Sequence, residues 1–105
     1  MNAVLLLKSL KNGCVMLTIK CTFESNRSKP TVRAQFVISD NIDLFNKSKR
    51  ISYQSQKSFK DNMILAARVL VAEYGISVQR WQVNILECQD LALFSTCDCL
   101  QSIEF

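Results

Sequence analysis

Leu17-Thr18-Ile19-Lys20-Cys21-Thr22-Phe23 decides how this chain folds. Apolar Leu17, Ile19, Cys21 and Phe23 alternate with polar Thr18, Lys20 and Thr22, the period of two with which a strand buries one face and wets the other. Upstream, Asn12-Gly13 sits between two β-prone runs at 3–10 and 14–24. A type I′ turn requires positive φ at both central residues, which Asn-Gly tolerates best, so a hairpin is predicted. Downstream of a polar loop at 26–30, Val32, Ala34, Phe36 and Ile38 alternate with Thr31, Arg33 and Gln35. This is a third strand with its apolar set on one side. A three-stranded meander must cover that side with another layer.

The cover is a helix. Phe59, Met63, Ala66, Ala67, Leu70 and Tyr74 recur at spacings that line one side of a helical cylinder. Ser58 is placed to cap its start, with Asp61 in the first turn, and Gly75 to stop it. Leu65 and Val69 fall outside the stripe, near Asp61 and Arg68; they are expected to meet a second layer or to form part of a contact surface.

Beyond the helix, Trp81, Val83 and Ile85 share one parity while Ile76 and Val78 lie on the other, which a strand over Ile76–Glu87 reconciles by a bulge near Gln79-Arg80. The tail Leu93–Phe105 is β-compatible, with Leu93, Cys97, Cys99, Ile103 and Phe105 on one parity. Within the link Asp40–Lys57, Asp40 is placed to cap a helical turn through Ile42, Leu44 and Phe45, and Arg50–Gln54 reads as a short edge strand. The order is β-β-β-link-α-β-β. That is an α+β fold over residues 1–105 as one domain: a mostly antiparallel sheet with one main helix on one face.

The run from Leu70 to Ser77, followed by Trp81, resembles the turn of a helix-turn-helix motif, in which a Gly-x-Ser step leads into a recognition helix. Val71 stands where that motif usually has alanine, polar Asn84 occupies an expected core position, and Val78, Val83 and Ile85 favour a strand. The strand is the stronger reading.

The residue inventory argues against catalysis. There is no histidine, which removes Ser-His-Asp and Cys-His chemistry and the usual base near pH 7. Two glycines, Gly13 and Gly75, leave no glycine-rich phosphate cradle. Cys97-x-Cys99 with distant Cys88, Cys14 and Cys21 is a poor zinc spacing, and five cysteines cannot all pair within one chain. Buried reduced thiols are expected, with no metal and no cofactor. The acid pairs Asp40/Asp43 and Asp98/Glu104 read as solvated surface groups. No apolar run approaches the length of a membrane span, the N-terminus lacks the features of a signal peptide, and a cytoplasmic location is expected.

Charge is the positive signal. Residues 1–60 carry eleven of the thirteen Lys and Arg against three acids, a net of +8; residues 61–105 carry two against six, a net of −4. Such polarity suits a charged partner. Arg27, Lys29 and Arg33 cluster around the turn before the third strand; Lys47, Lys49 and Arg50 lie in the link beside Phe45 and Tyr53. The expected function is a non-enzymatic interaction protein, of the inhibitor, immunity or adaptor kind. It would bind an acidic protein through these cations, Tyr53, and apolar Leu65 and Val69. A homodimer through the same surface is compatible with this. The alternative is a nucleic-acid-binding domain using loops 27–33 and 47–53 on phosphates and bases. The null account of the same residues is ordinary solubilising charge, with Phe45 tucked into the core.

Overall fold

A computed structural model describes residues 3–11, 14–24, 28–39, 43–76, 80–88 and 100–104. They form β1 (Ala3–Lys11), β2 (Cys14–Glu24), β3 (Thr31–Ser39), β4 (Ser48–Ser52), α1 (Phe59–Glu73), β5 (Arg80–Cys88) and β6 (Leu100–Glu104). Every neighbouring pair is antiparallel, and the six strands lie in the order β4-β3-β2-β1-β5-β6. The chain therefore meanders from β1 out to the β4 edge, then uses α1 to return to the far side of β1. This is the α+β architecture expected from the alternation. Among the described residues no helix is long and apolar enough to cross a membrane.

Register follows parity up to Phe36. A shift between Thr18 and Ile19 then sets Ile38 opposite Thr18, so Ile38 does not continue the alternation of Val32, Ala34 and Phe36 as expected. Leu5 stands opposite Cys21, which stands opposite Ala34; Leu7 stands opposite Ile19, which stands opposite Phe36. All six side chains are fully buried, so two apolar rows run across the sheet. Lys11 pairs with Cys14, as a two-residue hairpin loop demands, although Asn12-Gly13 itself lies outside the described residues.

The helix packs on β2, β3 and β4. Its buried residues are Phe59, Asn62, Met63, Ala66, Ala67, Leu70 and Val71. Small side chains on both surfaces (Ala66 and Ala67 above, Cys21 and Ala34 below) let the two layers approach closely. Aromatic contacts pin the ends. Phe59 meets Phe23 at 5.4 Å between ring centroids, and Tyr74 meets Phe36 at 6.0 Å, both edge to face.

Both caps form as the sequence implies. Ser58 Oγ accepts the Asp61 N–H at 3.0 Å. At the other end Gly75 (φ 63°) donates to the Ala72 carbonyl and Ile76 to that of Val71, the paired closure of a left-handed C-terminal stop. Ile76 therefore belongs to the helix stop. The described part of the following strand is Arg80–Cys88, and 77–79, with Gln79 of the expected bulge, lie outside the described residues. A register shift involving β5 falls where Val4 and Leu5 meet Glu87 and Ile85. Since 80–88 are a strand, Trp81 does not lie on a recognition helix.

Two other expectations move. The edge strand covers Ser48–Ser52 rather than Arg50–Gln54, because the Tyr53 N–H closes the ladder on the Pro30 carbonyl and Asn62 captures the Gln54 backbone. The helical turn from Asp40 is, in its described part, a turn at 43–46 with Asn46 at φ 65°. The expected last strand is described over Leu100–Glu104, and 93–99 and 105 lie outside the described residues.

Candidate interaction surface

Pairing of β3 with β4 sorts the predicted cations by face. Val32 stands opposite Ile51, Arg33 opposite Arg50, and Ala34 opposite Lys49. Since Val32 and Ala34 are buried under the helix, Lys49 and Ile51 share that inner face, whereas Arg33 and Arg50 point to the outer one.

The outer face continues across the sheet. On β2 it carries Thr18, Lys20, Thr22 and Glu24; on β1 it carries Leu6 and Lys8, because Leu5 and Leu7 are inward. Lys8 pairs with Thr18, Lys20 with Gln35, and Thr22 with Arg33. Lys8, Lys20 and Arg33 thus descend diagonally over three adjacent strands, each about 7–8 Å from the next at the backbone, and Arg50 stands level with Arg33. Sequence reading missed Lys8 and Lys20 as members of this surface, although their parity opposite Leu7 and Ile19 carried the signal.

One carboxylate lies among the described side chains of this stripe. Glu24 accepts from Arg50 Nε at 2.8 Å and from the Thr31 hydroxyl at 3.5 Å. Arg33 Nε is buried and has no hydrogen-bond partner among the described residues.

The remaining candidates disperse around the β4 margin. Lys49 reaches Glu73 of the helix at 3.8 Å, an exposed and weak pair that brings a C-terminal acid to an N-terminal cation. Lys29 is exposed before β3, at one end of the ladder, and Lys47 is exposed at the opposite end. Tyr53 is half-buried and packs on the core, its ring 5.0 Å from Phe23 and 6.2 Å from Phe59. Phe45 reverses the null account: it is 52% exposed, while its neighbour Leu44 packs inward. Leu65 and Val69 are half-buried on the helix flank between Asn62 and Glu73, outside the core cluster. Arg27 lies outside the described residues.

Among the described residues no group of three or more His, Cys, Asp or Glu could hold a metal ion. Cys21 is fully buried, and desolvation pushes its thiol far above the ordinary range. It stays protonated and is a poor nucleophile or ligand. The side chains of Cys14, Cys88, Cys97 and Cys99 lie outside the described set. Comparison of the chain with protein-family models, with curated proteins and with solved structures found no match.

Proposed function

We propose that this chain is a non-enzymatic protein-interaction module that captures an acidic partner protein. The observation that carries the reading is the outer-face stripe Lys8, Lys20, Arg33 and Arg50, in which Glu24 is the one carboxylate among described side chains. Leu6 and Thr18 on this face are buried and Lys8, Lys20 and Arg33 are half-buried, so it is a partly covered sheet face that carries cations on four adjacent strands. It speeds encounter with an oppositely charged surface and rejects basic ones. The absent histidine and the inert Cys21 thiol favour binding over chemistry. Localisation in the cytoplasm fits the reduced thiols expected from the sequence.

The test is affinity capture from the native host, with and without nuclease, comparing the wild type with Lys8→Glu/Lys20→Glu. The expected result is a retained protein that survives nuclease and is lost on charge reversal. Retention unaffected by the reversal would overturn the reading.

Nucleic acid is the second reading, and exposed Phe45 beside exposed Lys47 is the observation that favours it. Tyr53, half-buried against Phe23 and Phe59, supports that reading less. Polarisation titrations of duplex and single-stranded probes at two salt concentrations decide it: phosphate binding weakens steeply with salt, and no binding in dilute salt removes the idea.

A further inference from the structure

We propose that the β4 edge receives an extended segment of the partner as an added strand, one in which acidic and apolar residues alternate. This deepens the acidic-partner reading and rests on it.

β4 ends the strand order, so its outward main-chain groups meet no strand among the described residues. Which groups those are follows from the ladder. Lys47 accepts from Phe36 and Tyr53 donates to Pro30, so 47, 49, 51 and 53 turn their backbone groups toward β3. Ser48, Arg50 and Ser52 therefore turn theirs outward. No proline interrupts the strand, and its pairing with β3 runs without a register shift.

The side chains flanking this edge differ in kind. Outside lie Arg50 and, one strand in, Arg33. Inside, α1 runs antiparallel to β4: Asn62 holds Gln54 just past the end of the strand, and Glu73 reaches Lys49 near its start. Leu65 and Val69 lie between these two points at helical spacing and are half-buried. A strand laid along β4 alternates its side chains between the two faces. One set comes to the exposed Arg50 guanidinium, which it would share with Glu24; the other comes to the side of the Leu65–Val69 flank. Acidic and apolar residues in alternation satisfy both, with main-chain bonds giving affinity and the two faces giving selectivity.

Charge also argues against a second copy as the occupant. Antiparallel self-pairing of Ser48–Ser52 about its centre sets Arg50 against Arg50, an unfavourable like-charge pair. Cations on an edge strand discourage self-association while leaving it open to an acidic one.

The probe is an end-capped octapeptide of alternating Glu and Val, with alternating Lys and Val as control, added to the isotope-labelled full chain in dilute salt. The Ser48, Arg50 and Ser52 amides are expected to gain protection from hydrogen exchange with the acidic peptide, and to show no change with the basic one. Ser48→Pro/Ser52→Pro removes two outward donors without altering charge or the β3 ladder, and should weaken peptide binding about tenfold or more. If that variant does not fold, the wild-type exchange pattern alone decides. Binding without protection at β4, binding undiminished in the proline variant, or no binding at all overturns strand addition. None of these touches the Lys8/Lys20 dependence of partner capture, which stands or falls separately. Protection at β4 caused instead by a second copy, with a mass shift to dimer on concentration, also overturns it.

Discussion

Arg33 and Arg50 stand directly opposite each other on the outer face, and Glu24, from the strand beyond Arg33, reaches across to Arg50 Nε at 2.8 Å. Two like charges opposed across a ladder repel; the carboxylate held by Arg50 offsets that repulsion. Glu24 is well shielded, at 18% side-chain exposure, while Arg50 is at 36%, so the pair sits between a surface and a buried bridge. Replacing the carboxylate by an amide exposes the repulsion. Glu24→Gln is expected to lower stability by about 1 kcal/mol in dilute salt and by less in concentrated salt. Urea unfolding midpoints at two ionic strengths check this; equal midpoints for both proteins in dilute salt would refute the compensation.

Asn62 is fully buried and tied on both ends of its amide. Its Oδ1 accepts the Gln54 N–H at 2.7 Å, while Nδ2 donates to the carbonyls of Gln54 and Ser58 at 2.9 Å each and of Lys57 at 3.3 Å. The residue thus organises the whole connection between β4 and α1. Asn62→Ala takes this partner from the Gln54 N–H and the Lys57 carbonyl, while the Gln54 and Ser58 carbonyls keep the Lys57 and Asn62 N–H groups, and it is expected to cost about 1–2 kcal/mol. Denaturant melts read the loss directly, and a change below about 0.5 kcal/mol would show that water replaces the amide without penalty.

The strands of the meander were legible because alternation is a local property: Leu17 to Phe23 and Val32 to Phe36 declare their faces without reference to anything distant, whereas Ile38 follows a register shift that alternation alone does not reveal. The helix was legible for the same reason, down to Ser58 and Gly75. Asn62 was not. A polar residue beside an apolar stripe reads as solvent-facing, and only the passage of 54–58 beneath it makes it structural. The candidate surface was half legible. Grouping cations by closeness in the chain brought together Arg50 and Lys49, which the pleat sends to opposite faces, and overlooked Lys8 and Lys20, which the sheet places on the face of Arg33. Register between strands that are far apart in sequence depends on loops whose geometry composition does not fix.

Cys21 makes stability depend on pH in one direction. Burial raises its folded-state pKa above the ordinary thiol value, so the native protein retains a proton that the unfolded chain releases. Its contribution is fully present below about pH 9 and is lost progressively as pH rises beyond it. Cys21→Ala costs some stability through the small cavity but removes this slope. Stability measured from pH 8 to 10.5 should therefore fall more steeply in the wild type than in the variant. Parallel curves would mean that the thiolate forms without unfolding.

Phe45 and Tyr53 bracket β4 and behave oppositely, which turns a pair of substitutions into a test of what the margin is for. Tyr53 contributes its ring to Phe23 and Phe59, so Tyr53→Ala removes edge-to-face contacts and packed area together and is expected to cost about 2–3 kcal/mol. Phe45 is more than half exposed; truncating it should change stability by less than about 0.5 kcal/mol. An aromatic that the fold does not use for stability, held beside Lys47 on a turn with Asn46 at positive φ, invites a binding role. A stack on an unpaired base is worth about 1–3 kcal/mol, so Phe45→Ala would weaken a single-stranded probe about fivefold or more if nucleic acid were the ligand. Under the acidic-protein reading the same variant leaves any weak, salt-sensitive probe binding unchanged, because phosphates would then be engaged only by the cationic stripe. Polarisation titration of the wild type and Phe45→Ala against one labelled single strand separates the two.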